Sequence, residues 1–203
     1  MSVRSSTRDR QMRQRIAQEA ARIIVGEGIR DYLVAKRKAA ERLGAPDTQN
    51  LPRNIEVEAE LAAYQRLFQE QDQPLRLRQL RAAALDAMRF FERFDPRLTG
   101  SVLSGTASEH SDVNLHLFAD APEDVHLFLF EANVPHEQSQ RRLRVDRDDY
   151  VTYPSVRFLA GDIPIEAVIF PFNGVRQAPR SPLDGKPMAR ANLRRVEDLL
   201  AAP

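Results

Sequence analysis

The sequence predicts an α+β fold: a helical N-terminal region followed by a small mixed β-sheet with flanking helices. Two observations predict it. Up to Pro96 the apolar residues recur at helical spacing. From Leu98 onward they alternate or cluster in short runs between turn residues, as strands do. With 203 residues, the chain is long enough for a helical module and a compact sheet domain, and the expected division is 1–73 and 74–203.

The helices come first. Met12, Ile16, Ala20, Ile23 and Ile24 share one face of a first helix, which Gly26 and Gly28 stop. A second helix places Ile29, Leu33, Ala40 and Leu43 inward and Lys36, Arg37 and Lys38 outward, and Gly44 ends it. Residues 45–53, with Pro46 and Pro52, read as a loop. A third helix opens near Asn54, where Glu56 and Glu58 suit the N-terminal dipole, with Val57, Leu61, Tyr64 and Phe68 inward. A fourth presents Leu77, Leu80, Ala84, Met88 and Phe91.

The strands follow. The stretch DVNLHLFAD (112–120) alternates. Asp120 and Glu123, with Pro122 in the first turn, predict a capping box opening a helix through Ala132. Residues 141–145, 155–160 and 163–170 are further strands, and a short helix is expected at 193–200 after an irregular Pro/Gly-rich wrap.

Composition excludes several classes. The chain has no cysteine, so disulfides, zinc ribbons, iron–sulfur clusters and thiol nucleophiles are ruled out. No run nears the ~20 apolar residues that span a bilayer. The opening MSVRSSTRDRQMRQR lacks the apolar core of a secretory leader, so a cytoplasmic location and no membrane partner are expected. Gly185-Lys186-Pro187 lacks the hydroxyl residue and glycine spacing of a Walker-type phosphate loop.

The chemistry concentrates in GSVLSGTASEHSDVNL, residues 100–115. A Gly100-Ser101 turn lets backbone N–H groups approach a phosphate, and Ser101, Ser104 and Thr106 add hydroxyls. Side chains two apart on a strand face the same way, so Asp112, Asn114 and His116 project together. Glu166 is the lone charge in the apolar run PIEAVIF, where an acid needs a partner. That partner is either a metal site shared with Asp112 or an arginine such as Arg157 on the preceding strand. His116 is a second conceivable ligand beside Asp112, and His110 could touch phosphate. His126 and His136 carry no functional argument from the sequence.

This segment resembles the signature of the nucleotidyltransferase superfamily, particularly its minimal and aminoglycoside-modifying members: Gly-Ser, three residues, a glycine, then Ser-Asp-x-Asp on a strand. Gly100, Ser101, Gly105, Ala107, Ser111, Asp112 and Leu115 match, over about residues 98–118. Asn114 stands where the family has its second metal-binding aspartate. The resemblance implies a nucleoside triphosphate held by Gly100, Ser101, Ser104, Gly105 and Thr106. It implies magnesium at Asp112, Asn114 and Glu166, with Asp112 and Glu166 the catalytic acids and an acceptor attacking the α-phosphate. Asparagine offers a carbonyl oxygen but no charge, so the set falls from −3 to −2 and a single ion arriving with the nucleotide is expected.

Two alternatives compete with nucleotidyl transfer to an unknown acceptor. The substitution at Asn114 motivates a catalytically silent relative that binds a nucleotide or a partner. Residues 1–45 hold 11 Lys and Arg against 5 Asp and Glu, and residues 19–44 faintly resemble the opening helices of TetR-type repressors. The nine-residue loop at 45–53 interrupts where a recognition helix should follow, so nucleic acid is not the expected partner. Arg176, Arg180, Lys186, Arg190, Arg194 and Arg195 form a second basic group suited to a surface or a phosphate-bearing ligand.

Overall fold

The computed structural model describes residues 2–29, 31–68, 72–146 and 148–201. The fold is α+β: helices α1 (Ser2–Glu27), α2 (Tyr32–Arg42), α3 (Asn54–Phe68) and α4 (Asp72–Phe90), strand β1 (Arg97–Thr99), helix α5 (Gly100–Ser104), β2 (Val113–Phe118), α6 (Pro122–Glu131), β3 (His136–Arg144), β4 (Tyr150–Ala160), β5 (Ile163–Phe170) and α7 (Leu193–Ala201). No helix among the described residues is long and apolar enough to cross a membrane. Two compact units divide the chain. One comprises Met1–Gln73, Ser108–His110 and Pro182–Asp184; the other comprises Pro74–Ala107, Ser111–Ser181 and Gly185–Pro203.

In the first unit α1 packs against α2 and α3. Ile16, Ala17, Ala20 and Ile23 meet Ala35, Ala39, Ala40 and Val57, while Ala21 and Val25 meet Leu61. The alanines let the helices approach closely. Asp31 starts α2, its carboxylate accepting from the Leu33 and Val34 amides at 2.7 and 3.0 Å, which satisfies two orphan donors. Gly44 takes a left-handed φ of 71° and the Ala45 amide returns to the Ala40 carbonyl at 2.9 Å, closing the helix as expected.

Three expectations for these helices fail. Lys36 is buried rather than outward: its ammonium donates to the Pro52 carbonyl at 3.0 Å and to Asn54 Oδ1 at 2.8 Å, which compensates its desolvation. Leu33 is instead about half exposed, because the buried stripe of α2 runs through Ala35, Lys36, Ala39 and Ala40. Phe68, at the end of α3, is exposed rather than inward.

The second unit is a five-stranded sheet in the order β1-β2-β5-β4-β3. Only β2 and β5 run parallel; the other neighbours are antiparallel. The central pair is almost wholly buried, which explains its apolar runs. One face meets Leu80, Ala84 and Met88 of α4, Phe91 just beyond its end, Val125 and Leu129 of α6, and Val196 of α7. Phe91 touches Phe94, Phe128 and Phe158 with ring centroids 6.3, 5.9 and 5.6 Å away. Edge strand β3 is largely exposed and rich in arginine, which discourages pairing with another chain. Pro154 lies in β4 beyond the last residue that pairs with β5, where a missing N–H costs little.

The sequence did not reveal β1, and α6 lacks the capping box. Its N-cap is Ala121, with no side-chain cap, and the Asp120 carboxylate instead accepts from the Phe172 amide at 3.4 Å.

Candidate functional site

The site begins where β1 turns into α5. Gly100 has φ 74°, the left-handed region, and this lets extended backbone pass at once into a helical turn. A Cβ there would stand 3.4 Å from Asn114 Nδ2, so the glycine also permits close approach to the neighbouring strand. The Gly-Ser segment is thus a one-turn helix rather than a plain turn. Gly105 closes it with φ 90°, its amide donating to the Ser101 carbonyl at 2.9 Å. The two ends of α5 have different surroundings: Gly100 adjoins Asn114, whereas a Cβ at Gly105 would meet Arg81 and Leu77 of α4. The Ser104 and Thr106 hydroxyls lie 3.0 Å apart and bond to each other.

Pairing then aligns the acids. Thr99 on β1 faces Asn114 on β2, and Asn114 faces Glu166 on β5. Asp112 is the residue two before Asn114, just ahead of β2, and Asn114 Nδ2 donates to its backbone carbonyl at 3.2 Å. Glu166 pairs across the other side with Arg157 on β4. Side chains of paired residues project to the same face. That face is opposite the one bearing Leu115, Ala167 and Val156, which belong to the helix-side core.

Both carboxylates are buried and both meet arginine. Glu166 Oε2 lies 3.2 Å from Arg141 Nε, and its Oε1 lies 3.9 Å from Arg157 Nε. Asp112 Oδ2 is 3.8 Å from Arg157 Nη2. The acid side chains are 5% and 9% exposed, the arginines 52% and 50%, so the cations hang over the acids from the solvent side. Two negative charges thus face two positive ones. Arg157 was legible in the sequence as a partner for Glu166. Arg141 was not, because only the β3–β4 register brings β3 alongside.

The remaining sequence candidates have other partners. His116 does not turn to Asp112; its Nδ1 accepts from Arg190 Nε at 2.9 Å. Burial, reinforced by the Arg190 charge, pushes its pKa down to about 3, so the ring is neutral. Arg190 also donates to the Gly174 and Val175 carbonyls at 2.7 and 3.3 Å and lies over the rings of Phe118 and Phe170. One member of the basic C-terminal group is therefore a clamp that fastens the irregular wrap to the sheet. Its pKa falls to about 10, chiefly through burial. His110 is exposed and lies 3.2 Å from Glu109.

Among the described residues no group of three or more histidines and acids converges to hold a metal ion. The two carboxylates and the Asn114 amide carbonyl are nevertheless hard oxygen donors, the ligand type that magnesium takes. No family model, curated protein or solved structure matches this chain significantly.

Proposed function

We propose that this chain is a nucleotidyltransferase-like protein that binds a nucleoside triphosphate with a single magnesium ion and passes the nucleoside monophosphate to an acceptor. One observation carries the reading: parallel pairing of β2 with β5 sets Glu166 opposite Asn114, with Asp112 one strand step away, beside the Gly100 bend. Asp112 and Glu166 would hold the ion, assisted by the Asn114 carbonyl. Magnesium supplies positive charge to the phosphate oxygens. In the transfer, an acceptor O–H or N–H attacks the α-phosphorus. The bond to the β,γ-pyrophosphate breaks, pyrophosphate leaves with the electron pair, and the acceptor's proton passes to solvent or a base.

Arg141 and Arg157 have a part in this scheme. Both are half exposed, so they can leave the acids when a cation arrives and meet phosphate oxygens with their planar donor forks. The same pairs support a second reading, a silent nucleotide-binding relative, because the acids are already neutralised without a metal. Consumption of each of the four nucleoside triphosphates with magnesium, alongside equilibrium binding, separates the two. Transfer requires consumption that disappears in Asp112→Ala. Binding without consumption favours the silent relative, and consumption surviving in Asp112→Ala ends the transferase reading.

A further inference from the structure

We propose that His126 and His136 form a two-imidazole site for a divalent transition-metal ion of the zinc, nickel or copper kind. A tight turn joins the two residues. Asn133 adopts a left-handed φ of 54°, and the Ala132, Asn133 and Val134 amides return to the Phe128, Phe130 and Leu129 carbonyls at 2.9–3.0 Å. The turn folds the start of β3 back along α6, so His126 Nδ1 comes 3.4 Å from His136 Nε2, with ring centroids 5.5 Å apart.

The tautomer of one ring follows from its neighbours. His136 Nδ1 lies 3.0 Å from the Val134 carbonyl, which only accepts, so Nδ1 carries the proton. Nε2 then points a lone pair at His126. A histidine held by a backbone carbonyl through one nitrogen while the other is offered outward is the arrangement that metal-ligating histidines use. The gap between the facing nitrogens is long for a hydrogen bond. It matches the spacing of about 3.3 Å between two nitrogens each 2.0–2.1 Å from a tetrahedral zinc.

The electrical setting agrees. Burial, then the neighbouring His136, lower the pKa of His126, so the ring is neutral near pH 7, the form that binds metal. Exposed Glu123 stands one helical turn before His126 and acts on it with its negative charge. It can swing in as a third ligand, with water completing the shell. This site is independent of the acids. His136 pairs with Phe158, which faces the helix-side core, so it projects from the face opposite Glu166. Imidazole also selects zinc, nickel or copper over magnesium.

The test titrates the tag-free full chain with zinc chloride by calorimetry and with one equivalent of Cu²⁺ by electron paramagnetic resonance. One equivalent should bind with micromolar affinity, weakened at least tenfold in His126→Ala and in His136→Ala, to a lesser degree in Glu123→Gln, and not in His110→Ala. The Cu²⁺ spectrum of the unmodified chain should show coupling to two imidazole nitrogens, a readout that needs no variant to fold. Absence of saturable zinc binding would leave the pair as a plain N–H···N contact and overturn the proposal. Zinc binding indifferent to both histidine substitutions, or copper coupled to fewer than two nitrogens, would do the same.

Discussion

Replacing Asn114 by aspartate adds a third acid to the strand face and probes whether Asp112, Asn114 and Glu166 share one electrostatic environment. Asn114 and Glu166 are register partners on adjacent strands, which lie about 4.8 Å apart. At an effective dielectric of about 20, two like charges at that distance repel by about 3 kcal/mol. The amide donation from Asn114 Nδ2 to the Asp112 carbonyl disappears as well, a further loss of about 1 kcal/mol. Arg141 and Arg157 offset part of this, so a net destabilisation of about 2–3 kcal/mol is expected at neutral pH without metal. At roughly 2–4 °C per kcal/mol, the melting temperature should fall by roughly 4–12 °C. Added magnesium should then raise the melting temperature of Asn114→Asp more than that of the parent, because binding to the folded state stabilises it by mass action. Differential scanning fluorimetry at zero and 10 mM magnesium reads both effects. A variant as stable as the parent would show that the introduced carboxylate and Glu166 do not sense each other. A variant destabilised but deaf to magnesium would show that the acids meet without forming a cation site.

Two further outcomes follow from packing and pairing. Phe91→Ala removes a fully buried ring that contacts four other phenylalanines and should cost about 3–5 kcal/mol in urea unfolding; a loss under 1 kcal/mol would mean that the cluster is not the centre of the sheet unit's core. In the helical unit, Glu56 accepts from Arg13 Nε at 2.9 Å and Nη2 at 2.5 Å and from the Arg53 amide at 2.7 Å, and these bonds, Arg13 first, lower its pKa to about 2. A depressed carboxylate pKa stabilises the fold above its unfolded value near 4.5 and ceases to do so as pH falls toward 2. With the side chain about a third exposed, solvent screening reduces the contribution to about 1–2 kcal/mol. The stability gap between the parent and Glu56→Gln should therefore be open at pH 7 and close between pH 4.5 and 2; a gap independent of pH would assign the effect to packing.

The local elements were legible because their causes are local. Apolar spacing marks α4 through Leu80, Ala84 and Met88, and the run from Ile163 to Phe170 marks a strand buried on both faces. The α+β class follows from that order of helices and strands. Strand pairing is another matter, since it joins residues far apart in the chain. That β2 lies parallel to β5, setting Glu166 opposite Asn114, comes from burying two apolar runs side by side, and no pattern within either run states the partner or the register. The same holds for Arg141 over Glu166, for His116 turned to Arg190 and away from Asp112, and for Lys36 drawn inward by the Pro52 carbonyl. In each case a polar group enters the interior only because a distant segment brings its compensating partner, and burying a polar or charged group is tolerated only with such a partner. Sequence alone therefore determined the longer helices and strands, though not the short β1 and α5, and which residue types could carry chemistry. The tertiary structure decided which of them meet, because only packing sets the distances on which hydrogen bonds and charge pairs depend.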